Sequence, residues 1–163
     1  MEEDYNFDFE DLTPEEKEQL DREENLRKEK IHKHPLYLKA RDILSTVTAL
    51  LESFPEKEMK EMYSSTMTES AFMLAPKIAG AIGSDSWLLC MQNAALIRYH
   101  AEYLLTSTSG IQLFFENADK DYVQVLRDDM LEFKQLFNQW MQEVNALEDE
   151  DYVDDWGLFV RNR

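Results

Sequence analysis

The chain has little of several things, and each shortage narrows what it can be. Among 163 residues there is one cysteine, Cys90, so no disulfide can form within the chain and a reducing compartment is the expected setting. No apolar run approaches the roughly eighteen residues that a membrane-spanning helix needs. The opening MEEDYNFDFE has neither a basic start nor an apolar stretch, which is not how a secretory signal reads. A cytoplasmic protein without a membrane partner is the expectation. The four glycines build no phosphate loop: around Gly80 and Gly83 neither G-x-x-x-x-G-K nor G-x-G-x-x-G occurs.

Positive charge is also scarce, with a formal net charge of −17. Residues 1–34 carry 6 basic and 13 acidic residues, 35–147 carry 9 and 15, and 148–163 carry 2 and 6. Such an excess repels nucleic acid and anionic membranes at long range. One stretch runs against it: Arg27, Lys28, Lys30, Lys33, Lys39 and Arg41 lie within fifteen residues whose single acid is Glu29. These six are the candidate nucleic-acid contacts, weighed against the commoner reading of solvated faces and helix-end charges.

What the chain does have is 44% hydrophobic residues, enough for one domain to bury a core without staples. Three regions follow from the pattern: an acidic tail and polar lead-in helix (1–34), a helical bundle (35–147) and an acidic, aromatic tail (148–163). The tail at the start carries Tyr5, Phe7 and Phe9 without a period. Thr13, Pro14 and Glu16 then make a helix-start signature with a capping box. The helix predicted to follow runs to Lys33, with only Leu20, Leu26 and Ile31 apolar, and is closed by Pro35.

In the first bundle helix Leu36, Ala40, Ile43, Val47, Leu50 and Phe54 recur at steps of 4 and 3 in alternation, the spacing that keeps one stripe toward a partner. A second helix is predicted from about Glu56 to Ile82, with a weaker seam through Met59, Tyr63, Thr66, Ser70 and Met73 and a kink at Pro76. After the turn Gly83-Ser84-Asp85-Ser86, a seam from Cys90 through Ala94, Ile97, Ala101, Leu104, Thr108 and Ile111 to Phe115 keeps phase through TSTSG. One long helix from Asp85 to about Glu116 is therefore expected, although local propensity favours an end near Leu105. The last helix carries Leu126, Met130, Phe133, Phe137, Trp140, Val144 and Leu147. Short connections imply an all-α, antiparallel up-down-up-down four-helix bundle. Trp156, Leu158 and Phe159 in the closing tail have no helical seam and are expected to dock on a surface.

Catalytic and metal chemistry find little support. A metal site in a bundle needs inward carboxylates and paired E-x-x-H motifs; the one such motif, Glu29 to His32, lies in the polar lead-in. His32 and His34 flank Lys33 with no cysteine or carboxylate to complete a set. His100 and Glu102, two apart, fall on different sides of a helix and make a poor acid–base pair. Cys90 sits on an apolar seam with nothing basic to lower its pKa. No catalytic, metal or cofactor residue is assigned, no cofactor is expected, and an enzyme is not the expectation.

LYLKARDIL followed by SFPEKE, SAFMLAPKIAGAIG, NAALIRYHAEYLL and the long amphipathic last helix carry a resemblance. Over about Pro35 to Leu147 the chain resembles the four-helix-bundle family encoded in intervening sequences of bacterial 23S ribosomal RNA genes, to which the accessory variability proteins of diversity-generating retroelements are similar. The resemblance implies the bundle fold and a ring-like homo-oligomer, with a pentamer as the subunit number it suggests. Family members typically show a proline followed closely by Asn-Ile-Ala-Glu-Gly; here Pro76-Lys77-Ile78-Ala79-Gly80 stands instead, and the basic character of the nucleic-acid-binding members is missing. No residue-level site is carried over. The expectation is a non-enzymatic interaction or scaffold protein that self-associates and meets a protein partner. The alternative is a nucleic-acid-binding accessory protein acting with a reverse transcriptase or ribonucleoprotein.

Overall fold

A computed structural model describes residues 12–147 and 154–160; the readings of Tyr5, Phe7 and Phe9 and of the acidic run 148–153 lie outside the described residues. These contain five helices and no strand: α1 (Pro14–Lys33), α2 (Pro35–Glu52), α3 (Lys57–Ile82), α4 (Trp87–Phe114) and α5 (Lys120–Asn145). The last four form the bundle. α2 and α4 each pack against both α3 and α5, while the diagonal pairs do not approach each other. Connections of four, four and five residues join them, too short for anything but antiparallel neighbours.

α1 starts as its sequence predicts. The Thr13 hydroxyl accepts from the Glu16 amide at 3.3 Å, and the Glu16 carboxylate accepts from the Thr13 amide at 2.8 Å. No α1 residue is buried. Exposed pairs Glu18–Arg22, Glu24–Lys28 and Glu29–Lys33 at i,i+4 spacing support it. α1 leans on α2 and α3, with Arg27 and Ile31 side-chain atoms 3.4 Å from where a Gly83 side chain would begin.

His34 serves both helices at the corner. Its amide donates to Ile31 O, and its Nδ1 accepts from the Leu36 amide at 3.2 Å, so it ends α1 and caps α2. Burial depresses its pKa, with Lys30 adding to the shift and the Glu143 carboxylate, 4.0 Å from Nε2, opposing it. An imidazolium has no acceptor left for the Leu36 amide. With the folded pKa below the unfolded one, the contribution is complete above about pH 6.5 and is lost as pH falls through the folded value. His34→Ala is expected to cost about 1 kcal/mol at pH 7.5. His34→Asn, which caps without titrating, should hold its unfolding midpoint toward pH 5 better than the native chain; parallel pH profiles would count against the cap.

The stripes of α2, α4 and α5 form the core as their spacing predicts. Leu36, Ala40, Ile43, Val47 and Leu50 of α2 are wholly enclosed. The weaker seam of α3 holds at Met59 and Ser70, which are buried, and is corrected at Thr66, which is exposed, and Met73, which is half-buried; Met67, Ala71, Leu74 and Ile78 are buried instead. From Met59 the stripe steps by four through half-buried Tyr63 to Met67. Thr66 sits at the edge facing α4, its hydroxyl 2.5 Å from Tyr103 Oη.

α3 runs as one helix through Pro76, and α4 runs as one helix through TSTSG. Three of the four hydroxyls of that stretch are satisfied inside the helix: Thr106 donates to Glu102 O at 2.6 Å, Ser107 to Tyr103 O at 2.8 Å and Thr108 to Leu105 O at 2.6 Å. Gly110 belongs there because Tyr63 Oη lies 2.9 Å from where its side chain would begin. Arg127 of α5 donates to Thr108 Oγ1 at 2.9 Å and to Ser109 Oγ at 3.0 Å, pinning α5 to α4.

Candidate interaction surfaces

The six cations singled out from the sequence do not share one surface. Arg27, Lys28, Lys30 and Lys33 are exposed on α1 and Arg41 on α2, but Lys28 and Lys33 already face Glu24 and Glu29. Lys39 turns inward, its side chain only 12% exposed and its ammonium 2.8 Å from Asp129 Oδ1 and 2.5 Å from Glu132 Oε2. Burial works against that charge, but hydrogen bonds and attraction from both carboxylates outweigh it and hold the pKa above the ordinary lysine value. Asp129 Oδ2 also accepts from Thr46 Oγ1 at 2.7 Å. Lys39 is thus an α2–α5 tie. Its partners lie about ninety residues on, a pairing that no local pattern announces.

His100 and Glu102 point to different neighbours. His100 Nδ1 is 3.2 Å from Ser70 Oγ of α3, whereas Glu102 lies on the α5 side of α4. Burial lowers the His100 pKa, Lys77 reinforces the shift and Glu69 opposes it, so the ring is a neutral hydrogen-bonding partner at pH 7. Ser70 lies inside α3, where the helix's own ladder uses the surrounding amides. An oxyanion hole needs free amides. The buried Cys90 thiol lies 3.3 Å from Ala81 O and donates to it. Among the described residues no three His, Cys, Asp or Glu side chains come together as a metal site, and no helix is long and apolar enough to cross a membrane.

A half-open groove of about 280 Å³ lies between α4 and α5. Its floor is Ala101, Leu105, Met130, Phe133 and Phe137, and its rim carries Arg98 and Glu102 from α4 with Lys134 and Asn138 from α5. Arg98 and Lys134 form no ion pair among the described residues. At that volume it falls just short of the ~300–1,000 Å³ of small-molecule sites, so it suits one or two apolar side chains. A second surface is the outer side of α4, where Leu89, Leu96 and Tyr99 are exposed at steps of 7 and 3 that align them along the helix.

The third surface is the closing segment 154–160. The Asp154 carboxylate accepts from the amides of Trp156 at 3.1 Å, Leu158 at 2.8 Å and Phe159 at 2.8 Å, and Gly157 adopts φ 66°. Those bonds, with Phe159 first, hold the Asp154 carboxyl below its usual pKa against an opposing desolvation. Trp156 and Leu158 do not dock in the single chain, being 92% and 74% exposed. Sequence inspection passed over this turn; its signal was an Asp followed three residues later by a Gly, where no helical spacing competes.

Comparisons with protein-family models, with curated proteins and with solved structures find no match.

Proposed function

We propose that the protein is a non-enzymatic interaction protein that self-associates through the outer faces of its bundle. The observation that carries this reading is the apolar surface left over once the core is filled: Leu89, Leu96 and Tyr99 along α4, and the floor of the α4/α5 groove. Aligned apolar groups of this kind mark interaction sites more often than isolated ones do. The form we favour is a ring-like homo-oligomer, pentameric by its resemblance to the 23S intervening-sequence family, in the cytoplasm and with a further protein partner. Light scattering coupled to size exclusion at micromolar concentration is expected to give a mass several times the 19.3 kDa of one chain. A monomer there would sink the reading.

The second reading, a nucleic-acid accessory protein acting with a reverse transcriptase or ribonucleoprotein, draws on Arg27, Lys30 and Arg41. All three are exposed and without an ion pair among the described residues. The net charge of −17 opposes it. Repeating the run in low salt with a short RNA tests it, since an unchanged elution removes this reading and leaves the first.

A further inference from the structure

Two features of this chain lack a partner, and they match. The segment around Trp156 is closed before anything binds: three amides converge on one carboxylate, and the Gly157 amide donates to Asp154 O at 2.8 Å. Gly157 supplies the left-handed conformation that a side chain resists. Much of the ordering cost of binding is therefore already met, yet the turn holds Trp156, Leu158 and Val160 in water. By sequence it follows Glu148, Asp149, Glu150 and Asp151 and includes Asp155. The groove between α4 and α5 offers the complement, an aromatic floor at Phe133 and Phe137 with Arg98 and Lys134 on facing walls.

We propose that the 154–160 turn of one copy seats in the α4/α5 groove of a second copy, Trp156 and Leu158 against the floor and Asp155 beside Arg98 and Lys134. This rests on the self-association reading and names its contact. Charge selects the place: the bundle as a whole repels an acidic segment, and the groove rim sets two cations against the single carboxylate of Glu102. A copy's own groove is within reach, because about 17 Å of helix separates Lys134 from the end of α5 and the nine residues from Leu147 to Trp156 span up to about 30 Å. Trp156 and Leu158 nonetheless stay exposed in the single chain. A turn-to-groove contact joins unlike surfaces, which closes as a two-fold exchange or a ring.

The test uses the full chain and two variants that change only exposed side chains, Trp156→Ala with Leu158→Ala, and Arg98→Glu with Lys134→Glu. Sedimentation velocity across a concentration series is expected to show association weakened at least tenfold in each variant, with far-ultraviolet circular dichroism unchanged. Mixed in equal amounts, the variants still offer one intact turn and one intact groove per pair, so a complex of both should return. Loss of fold cannot produce that recovery. A native chain that stays at 19.3 kDa removes the self-association reading and this contact with it. A native oligomer that either variant leaves unchanged, or a mixture that fails to recover, overturns the contact alone.

Discussion

Replacing Phe133 by alanine is expected to lower the unfolding free energy by about 3–5 kcal/mol. Phe133 is 2% exposed and lies in the α5 stripe between Met130 and Phe137, with the groove directly above it. Losing the ring removes its transfer energy and also leaves a hole, whose cost depends on how far the surroundings collapse into it. Collapse is restricted here: α5 is tied to α2 through Asp129 and Lys39 and to α4 through Arg127 and Thr108. The loss should therefore fall in the upper part of the range. Leu131→Ala, two residues away but 53% exposed, is expected to stay within about 0.5 kcal/mol. Denaturant unfolding at one fixed protomer concentration checks both, because association itself shifts apparent stability. The midpoint for Phe133→Ala should drop sharply at unchanged slope; a loss under about 1 kcal/mol would mean that the site repacks.

Three bundle helices were legible because their apolar residues and their buried residues coincide. In α2, α4 and α5 the 4,3 spacing names the stripe, and in α4 it carried the helix through TSTSG against local propensity. α3 was legible only in part: Met59 and Ser70 of its seam are buried, Thr66 and Met73 are not. Along α3 the apolar residues Met62 and Phe72 are exposed while Ser70 is buried, so polarity and burial part company. What decides the face is contact with His100 and Tyr103 of α4, residues far away in the chain. Distance in sequence likewise hid the surfaces. Lys39 reads as one member of a basic run until packing brings Asp129 and Glu132 to it. Arg98 and Lys134 become the two sides of one groove only when α4 and α5 lie side by side.

The same tie supplies the second large effect: Asp129→Ala is expected to cost about 2–4 kcal/mol, somewhat below the usual loss for breaking a buried ion pair because Glu132 remains beside Lys39. Removing the carboxylate leaves the ammonium of a side chain only 12% exposed with Glu132 alone in place of two carboxylates. Thr46 suffers less, since its single hydroxyl proton can turn to Asp42 O, 3.2 Å away. Lys39→Met with Asp129→Leu removes both charges, leaves nothing to desolvate, and should recover most of the loss. That contrast separates two roles. A tie that mainly adds stability would cost as much in the double variant as in the single one; a tie that mainly sets the α2–α5 register, by penalising every alignment that strands a charge, would not. Because the Lys39 pKa is raised on folding, its contribution is complete below the unfolded lysine value of about 10.4 and is lost as pH rises through the folded one. The native chain should therefore lose ground against the double variant in unfolding measurements as pH rises above that value. A single variant within about 0.5 kcal/mol of the native chain would show that water reaches the site and that the tie is a surface pair.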